Sequence, residues 1–266
     1  YTNGTVGDVE VKTKLFDAIN TFLLPIRDER NKYAQNKKIV KEFLQQGSKV
    51  AFLDKETELG NQLVSKLNNY EHEALFKVCD LKNINQLQDS IKEISSKLGP
   101  ISILINNAAN DDRHHIDDVT PEFWDERMHL NLRHYFFASQ IAYKDMKKIG
   151  SGAIVNIGSF SWILNQGNMP GYTTAKSAIM GLTRTLARDL GVHNIRVNCV
   201  VPGWIITERQ KKLWLTPEAE KEQLERQCIK RMLMPEDIAK PVLFFASEQS
   251  SGCTAQNYIV DGGVVN

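Results

Sequence analysis

Short apolar runs alternate with longer amphipathic stretches along most of this chain. Runs of a few hydrophobic residues that end at a polar or turn residue are typical of strands buried on both faces. The stretches between them place apolar residues three and four positions apart, which predicts helices packed on one face. The predicted strands are 49–54, 75–79, 101–105, 153–157, 195–200 and 257–260.

The predicted helices follow these strands in turn, and several have clear terminal signals. Gly47 and Gly191 each stop a helix. Proline stands in the first turn of a helix after Thr120, Thr216 and Met234. The predicted helices are 36–47, 56–67, 85–98, 121–148 and 172–190, and two more begin at 217 and 235.

Strands that alternate with helices of this length form βαβ units, which build a parallel sheet through right-handed crossovers. The sequence therefore predicts an α/β protein with one doubly wound parallel sheet. At 266 residues the chain fits a single domain of that class. We expect this domain to occupy residues 36–266.

The first 35 residues do not continue this pattern. They show neither a regular strand alternation nor a clear helical face, and Pro25 interrupts their best apolar run. Because proline cannot donate a hydrogen bond to a neighbouring strand, a central strand is not expected there. We predict that residues 1–35 form an atypical segment in front of the domain.

Composition and charge exclude several classes of partner. The formal net charge is only +1, so neither nucleic acid nor an anionic membrane is expected. No apolar run approaches the roughly 18 residues of a membrane span, and the mildly apolar residues 18–26 lack the flanks of a signal peptide. The four cysteines form no CxxC pair and are expected to be buried free thiols. We therefore expect a cytoplasmic protein.

Three residues between 158 and 176 suggest acid–base chemistry. Tyr172 and Lys176 lie on one face of a predicted helix, and Ser159 follows a predicted strand. A free phenol titrates near 10. One ammonium about 4 Å away, at an effective dielectric of about 20, favours phenolate by roughly 4 kcal/mol, which lowers such a pKa by about 3. The alternative is that Tyr172 and Lys176 are ordinary surface residues of the helix.

Polar residues follow the predicted strands at the edge where α/β proteins bind ligands. Asp54 ends one strand and is placed to accept hydrogen bonds from a ribose diol. Its carboxylate would repel a 2′-phosphate, which favours NAD over NADP. The alternative is a solvated aspartate at a strand end. The ends of other strands are marked by Asp80, Asn106, Ser159 and Pro202.

Further polar residues near these ends each allow two interpretations. The amides of Asn106 and Asn107 could orient the neighbouring strand, and the small Ala108 lets a ligand approach. Asn131 is a poor helix former in an apolar helical stretch, so it either holds a water and kinks the helix or makes one local bond. Thr207 could cap a helix or hold a phosphate or carboxamide.

Two other clusters carry weaker signals. His114 and His115 follow two aspartates, but adjacent side chains point apart and no helical pair is present, so no metal site is expected. Trp162, Tyr172 and Trp204 could stack on the apolar face of a sugar, or they could pack in the core.

Taken together, these motifs resemble the short-chain dehydrogenase/reductase family over residues 36–263. The resemblance implies a Rossmann-like fold and a catalytic tetrad. In that family tyrosinate takes the alcohol proton while hydride leaves for the nicotinamide, and serine holds the reacting oxygen. Lysine lowers the tyrosine pKa and binds the ribose, and asparagine anchors a water. The tetrad falls on Asn131, Ser159, Tyr172 and Lys176, and the other matching motifs are LD at 53–54, CD at 79–80, NNAA at 106–109 and PGWIIT at 202–207.

The resemblance also implies residues for the cofactor, the substrate and assembly. The implied NAD-binding residues are Asp54, Asp80, Leu81, Asn107, Ala108, Tyr172, Lys176, Pro202, Ile205 and Thr207. The implied substrate-binding residues are Ser159, Trp162, Tyr172 and Trp204. Family members are usually tetramers, so a homotetramer is expected, joined through helices near 121–149 and 172–190 and through the last strand. The small Ala178 and Gly181 would permit close packing there.

A narrower similarity points to a substrate class. The segments NNAANDDRH, SW after Ser159, PGWIITERQ and CTAQNYIVDGG resemble sugar 1-dehydrogenases that act on galactose, xylose or arabinose. Such enzymes oxidise the anomeric hydroxyl of an aldose to a lactone with NAD. The expected substrate is therefore a sugar, and the expected cofactor is NAD.

The family's glycine-rich cofactor loop is missing. Its TGxxxGxG pattern should fall on residues 29–36, which read ERNKYAQN, after a strand expected at 22–28. Those glycines let backbone N–H groups meet the pyrophosphate, and each charge-assisted hydrogen bond is worth about 1.5–3 kcal/mol. We predict that NAD affinity is lowered about a hundredfold or more.

Two explanations of this departure remain open. Residues 1–35 arise from an altered start, such as an alternative exon, a frameshift or a faulty gene model, or they are a native segment that replaces the loop. Three functions follow: an aldose dehydrogenase, a short-chain reductase of another carbonyl substrate, or a non-catalytic member of the fold that acts as a binding or assembly partner.

Overall fold

The computed structural model describes residues 20–24 and 33–265. Seven strands form one sheet: β1 (Asn20–Leu24), β2 (Lys49–Asp54), β3 (Leu75–Val78), β4 (Ile103–Asn106), β5 (Gly152–Ile157), β6 (Ile195–Pro202) and β7 (Asn257–Val260). Their order is β3-β2-β1-β4-β5-β6-β7, and every neighbouring pair is parallel. The predicted α/β fold with a doubly wound parallel sheet is confirmed.

Helices cover both faces of this sheet. They are α1 (Tyr33–Gln45), α2 (Thr57–Lys66), α3 (Ile84–Leu98), α4 (Pro121–Met128), α5 (His134–Ile149), α6 (Pro170–Leu190), α7 (Glu208–Leu213), α8 (Pro217–Arg226) and α9 (Pro235–Ala246). Gly47 has a φ of 78° just after α1, the left-handed conformation that a helix-ending glycine adopts most easily.

Alternate residues of the strands feed two separate hydrophobic cores. In β2, Val50 and Phe52 pack with the apolar faces of α1, α2 and α9. Ala51 and Leu53 of the same strand pack on the opposite side with α3, α5 and α6. Burial on both faces explains why the predicted strands are apolar throughout, and it leaves the strand ends as the place for polar side chains.

The first segment departs from expectation, because it supplies the central strand. In β1, Thr21 is paired with Val50 of β2 on one side and with Ile103 of β4 on the other. The expectation that no central strand forms there is therefore wrong. The strand ends at Leu24, one position before Pro25. Residues 25–32, which include half of the expected glycine-loop position, lie outside the described residues.

The helix predicted over 121–148 is divided rather than continuous. A π-helical turn at His129–Arg133 separates α4 from α5. Asn131 lies in that turn, as its poor helix propensity suggested, and π turns of this kind often occur at functional sites.

Thr207 caps α7, since its hydroxyl accepts the N–H of Gln210 at 3.3 Å. The capping interpretation of Thr207 is confirmed.

Two sequence predictions concern membrane-spanning helices and the burial of the cysteine thiols. In the described part of the chain, no helix combines the length and apolar character needed to cross a bilayer. All four cysteines are free, and Cys79 and Cys199 are buried as expected. Cys228 is exposed and Cys253 is half-buried, so the expectation of buried thiols is wrong for these two.

Candidate functional site

A cavity of about 380 Å³ opens at the carboxyl ends of β4, β5 and β6. The ends of parallel strands meet at one edge of the sheet, which brings together residues that are far apart in sequence. The predicted site residues that line it are Asn107, Ser159, Tyr172, Lys176, Pro202, Trp204, Ile205 and Thr207. The predicted site residues outside its lining are Asp54, Asp80, Leu81, Ala108, Asn131 and Trp162.

Ser159 and Tyr172 meet in this cavity. The hydroxyl of Ser159 accepts the N–H of Ser161 at 3.2 Å, which fixes its direction at the end of β5. Tyr172 lies in the first turn of α6, and its phenol is hydrogen-bonded to Ser159. The strand-to-helix connection therefore brings a hydroxyl and a phenol into contact across one loop, as the sequence predicts.

The phenol of Tyr172 is a weaker acid in the folded protein than in water. Burial raises the pKa of Tyr172 above 10, and the carboxylate of Asp111 raises it further. The hydrogen bond with Ser159 and the charge of Arg113 lower this pKa by smaller amounts. The expectation that Lys176 brings the pKa of Tyr172 down is therefore not met.

The position of the Lys176 ammonium gives the physical reason. Its Nζ donates to the carbonyl oxygen of Ile157 at 2.7 Å and to the hydroxyl of Tyr135 at 3.0 Å. It lies 5.8 Å from the centroid of the Tyr172 ring. The ammonium is almost fully buried, and these bonds compensate for its lost hydration. The alternative that Lys176 is an ordinary surface residue is wrong.

Tyr135 is a site residue that sequence reasoning missed. Its side chain is fully buried, and its hydroxyl donates to the carbonyl oxygen of Ile157 at 3.0 Å while it accepts from Lys176. Tyr135 follows Asn131 by four positions, a spacing that places two helical residues on the same side. In the apolar stretch NLRHYFF it was indistinguishable from a core aromatic residue.

Asn131 joins the π turn to the loop after β4. Its Oδ1 accepts the backbone N–H of Asn110 at 2.6 Å, and its Nδ2 donates to the carbonyl oxygen of Arg127 at 3.0 Å. The amide is fully buried and uses both ends, so it makes more than the single local bond of the simpler interpretation. It fixes the loop that carries Asn107 and Asp111 into the cavity.

The amide of Asn106, at the end of β4, orients the neighbouring strand as predicted. Asn106 Nδ2 donates to Asn156 Oδ1 at 2.8 Å, and Asn156 Nδ2 donates to Thr183 Oγ1 at 2.9 Å. This buried chain of hydrogen bonds links β4, β5 and α6. It holds the helix that carries Tyr172 and Lys176 in a fixed position against the strand that leads to Ser159.

Asp54 occupies the predicted place at the end of β2, and it is buried rather than solvated. Its Oδ1 accepts the N–H of Glu56 at 3.0 Å. Burial is the main cause that raises the pKa of Asp54 to about 6, against a smaller lowering by that hydrogen bond. The alternative of a solvated strand-end aspartate is wrong. Asp80 and the buried Leu81 follow β3, the neighbour of β2 in the sheet.

The two tryptophans predicted to face a sugar have different surroundings. Trp204 lines the cavity, and its indole N–H donates to Gln210 Oε1 at 2.7 Å. Trp162 does not line it, and its indole nitrogen has no hydrogen-bond partner among the described residues. Trp214, at the end of α7, does line the cavity and was not predicted. The aromatic wall is thus formed by Trp204 and Trp214, and the prediction for Trp162 is not supported.

Asp111 and Arg113, from the charged segment 111–115, line the cavity. Arg209 of α7 donates to Asp111 at 2.9 Å and to Asp112 at 2.8 Å, which ties this segment to α7. The guanidinium of Arg113 lies 5.2 Å from the centroid of the Trp214 ring. Within the described residues no group of histidine, cysteine and carboxylate side chains could hold a metal ion.

The described polar groups fit part of a nicotinamide cofactor. Asp54 offers a buried carboxylate with a raised pKa, which hydrogen bonds from ribose hydroxyls would stabilise in its charged form. Asn107, Lys176 and Thr207 line the cavity with donors and acceptors suited to a ribose and a carboxamide. Half of the segment expected to meet the pyrophosphate, residues 29–32, lies outside the described residues.

Similarity to known proteins was found over the same part of the chain. The family described as enoyl-(acyl carrier protein) reductase matches residues 36–265. "Probable galactose dehydrogenase GalD" of Rhizobium meliloti is 45% identical over 227 residues, 85% of this chain and 89% of that protein. The D-xylose 1-dehydrogenase of Caulobacter vibrioides is 45% identical over 221 residues, 83% of this chain and 87% of that protein.

Solved structures share the fold over nearly the whole chain. A mutant short-chain dehydrogenase/reductase of Serratia marcescens has a TM-score of 0.83 and 28% identity, and the match covers 93% of this chain and 98% of the other. A gluconate 5-dehydrogenase of Burkholderia cenocepacia, crystallised with NADP and tartrate, has a TM-score of 0.85 and 24% identity over 94% of this chain and 96% of the other. The fold and the curated relatives agree: this chain belongs to the short-chain dehydrogenase/reductase family of oxidoreductases.

Proposed function

We propose that this protein oxidises the anomeric hydroxyl of an aldose to a lactone, with NAD as the hydride acceptor. The observation that carries this proposal is the convergence of Ser159, Tyr172 and Lys176 on one cavity with an aromatic wall. The 45% identity to proteins named as galactose and xylose dehydrogenases supports a sugar as the substrate. Trp204 and Trp214 suit the apolar face of a pyranose ring.

Each residue of the tetrad has a distinct task in this proposal. Ser159 holds the anomeric oxygen, and Tyr172 removes its proton as the general base. When bound, the oxidised nicotinamide accepts the hydride and brings a positive charge to the site. Lys176 keeps an ammonium beneath Tyr172, and Asn131 fixes the loop after β4. Trp204 and the loop at 111–113 limit the access of water to the reacting oxygen.

The raised pKa of Tyr172 predicts the direction of the pH dependence. A base works only when deprotonated, so the oxidation rate should rise with pH through the neutral and alkaline range. The Lys176 ammonium would contribute more if Nζ exchanged its bond with Tyr135 for one nearer the phenol oxygen. A rate that is independent of pH in this range would contradict the role of Tyr172 as base.

We further propose NAD rather than NADP, with Asp54, Asp80, Leu81, Ala108 and the cavity residues as its binding set. The buried carboxylate of Asp54 would lie against the ribose 2′ position, where a phosphate would be repelled. Because residues 29–36 carry no glycine, we expect the affinity of this chain for NAD to be weak. Isothermal titration tests this, and a micromolar dissociation constant for NAD would overturn the expectation.

The substrate is tested by following the reduced nicotinamide by its absorbance with galactose, xylose and arabinose. Each sugar should be tried with NAD and with NADP at the highest soluble cofactor concentration, so that weak binding does not hide turnover. Oxidation of at least one of these sugars, with lactone as the product, is the expected result. Turnover of a ketone, steroid or acyl thioester instead would favour a reductase of another carbonyl substrate.

The missing glycine pattern favours a second candidate, a non-catalytic member of the fold that acts as a binding or assembly partner. This candidate predicts no turnover with any sugar even when the cofactor saturates the site. It also predicts that replacing Tyr172 leaves the protein's function unchanged. The two candidates are therefore separated by the same sugar assays.

We also propose a homotetramer in the cytoplasm. Exposed apolar side chains on α5 and β7 support such an assembly, namely Phe136, Tyr258 and Ile259. Ala178 and Gly181 lie exposed on α6, and a Cβ added to Gly181 would meet nothing within 4 Å, so a second subunit could pack closely there. Sedimentation equilibrium measures the number of subunits.

A further inference from the structure

The start of α6, the helix that carries Tyr172 and Lys176, is held by a residue from another part of the chain. Met169 occupies the N-cap position and makes no side-chain capping bond, and Pro170 has no N–H to donate. Gly171 therefore supplies the first backbone N–H of the helix. That N–H donates to Nε2 of His114 at 3.1 Å. An imidazole from the loop after β4 thus performs the capping that the local sequence does not provide.

The two hydrogen bonds of His114 define its protonation state. Nε2 must carry a lone pair, because it accepts the N–H of Gly171. Nδ1 lies 2.9 Å from the carbonyl oxygen of Asp112, so Nδ1 carries the proton and donates it. His114 is also buried, and its backbone N–H donates to the carbonyl oxygen of Asn168 at 2.8 Å. The geometry calls for a neutral imidazole in the Nδ1–H tautomer.

The residues packed around Gly171 leave little space for a side chain at this position. A Cβ added to Gly171 would lie 3.0 Å from Cβ of Arg127 and 3.5 Å from Nε2 of His114. Phe123 of α4 closes the other side, with its ring centroid 4.9 Å from that of His114. The first turn of α6 is therefore fixed by packing and by one hydrogen bond, immediately before Tyr172.

An N–H on Nε2 would point at the N–H of Gly171, and that hydrogen bond would be lost. The bond therefore requires the lone pair of Nε2 to face the first turn of α6.

We propose that His114 is a positioning residue, which holds the first turn of α6 so that Tyr172 meets the substrate oxygen. Its Nε2 accepts the N–H of Gly171, the residue immediately before Tyr172 in the chain. This role rests on the proposed function, because it acts through Tyr172.

Two variants separate this role from simple packing. His114→Gln places an amide oxygen near the position of Nε2, where it can accept from Gly171. His114→Phe keeps an aromatic ring against Phe123 but offers no acceptor. We expect His114→Phe to lower kcat about ten- to a hundredfold, since small misplacements of catalytic groups have effects of that size. His114→Gln should retain most of kcat, because it keeps the acceptor that His114→Phe removes.

A spectroscopic measurement tests the tautomer without any turnover. Long-range ¹H–¹⁵N correlation of ¹⁵N-histidine-labelled full-length protein should show the His114 signal as neutral with the proton on Nδ1, and slow hydrogen exchange at the Gly171 amide should be lost in His114→Phe. An Nε2–H tautomer, or equal kcat values in the original protein and both variants, would overturn the proposal. If no sugar is oxidised, the proposed function fails, and the tautomer and exchange measurements still decide the state of His114.

Discussion

The two sides of the candidate site, at the carboxyl edge of the sheet, differ in how many of the expected groups they contain. On the substrate side, Ser159, Tyr172 and Lys176 are supported by Asn131, Tyr135 and a chain of buried amides. On the cofactor side, β1 pairs normally with β2 and β4, yet residues 29–36 lack the glycines that family members use for the pyrophosphate. Strand pairing depends on backbone hydrogen bonds and tolerates many side chains, whereas phosphate binding needs backbone N–H groups that only glycine leaves accessible. A fold can therefore keep its sheet and its acid–base groups while its cofactor loop changes.

The largest expected effect comes from removing the phenol. Tyr172→Phe should lower kcat for sugar oxidation about 10²- to 10⁴-fold, since that is the usual contribution of a general base. Initial rates of nicotinamide reduction measure it. Because the hydroxyl is partly desolvated, its removal should leave the thermal unfolding midpoint nearly unchanged. Equal activity in Tyr172→Phe and the original protein would show that the substrate side is not the catalytic centre.

Restoring the cofactor side should have the next largest effect. Replacing residues 29–36 with a segment of the form TGxxxGxG should raise NAD affinity about a hundredfold or more, through the backbone hydrogen bonds to phosphate that it allows. Isothermal titration compares this variant with one that carries the same residues in scrambled order. A gain in both variants, or in neither, would contradict the role assigned to the glycine pattern.

Asp54 lies on the cofactor side, and its substitution should affect stability and cofactor binding in opposite directions. The pKa of Asp54 is raised from 3.8 to about 6, so the folded state holds this proton more tightly than the unfolded state does. The contribution of Asp54 to the free energy of unfolding therefore falls as pH rises from about 4 to about 6. Asp54→Asn keeps an acceptor for Glu56 and should stabilise the cofactor-free protein at neutral pH by about 3 kcal/mol.

Urea unfolding at several pH values measures this gain, which should disappear at low pH, where the aspartate is also neutral. NAD affinity should fall in the same variant, and discrimination against NADP should weaken. Asp117→Asn is the matched control, since the side chain of Asp117 is exposed to solvent. Stabilisation that is equal at low and neutral pH would contradict a buried, ionised Asp54.

The smallest effect is expected at Tyr135, whose hydroxyl accepts a hydrogen bond from the ammonium of Lys176. Tyr135→Phe removes the hydroxyl that accepts from Lys176 and donates to Ile157, and leaves the ring in place. Losing one hydrogen bond to a charged group should change kcat about tenfold and move the alkaline part of the pH–rate profile. Tyr143→Phe on the same helix is the control, because Tyr143 packs against the core on the α3 side. A profile that moves equally in both variants would exclude a specific role for Tyr135.

Most of the fold was predictable because its signals are local. The six predicted strands form, and so do the helices between them, although the one predicted over 121–148 is divided by a π turn. Apolar runs and helical spacing report directly on burial. The central strand β1 was missed because Pro25 was taken to interrupt it, whereas the strand ends at Leu24. The break at Asn131 was anticipated from helix propensity, although its π geometry depends on contacts with Asn110 and Arg127.

The candidate site was predictable only in part, because spacing identifies residue types but not the directions of side chains. Trp162 and Trp204 looked equivalent in sequence, yet Trp214 takes the place expected for Trp162 in the cavity wall. The pKa of Tyr172 was predicted from one nearby charge, and burial together with the Asp111 carboxylate outweighs that charge.

By itself the sequence determined the order of strands and helices after β1, the residues at the strand ends and the absence of the glycine pattern at 29–36, since each is a property of neighbouring positions. Only the tertiary structure decided that Tyr135 holds Lys176, that His114 caps α6 and that Asp54 is buried. These contacts join residues far apart in the chain, and a hydrogen bond forms only where folding brings donor and acceptor within about 3 Å of each other.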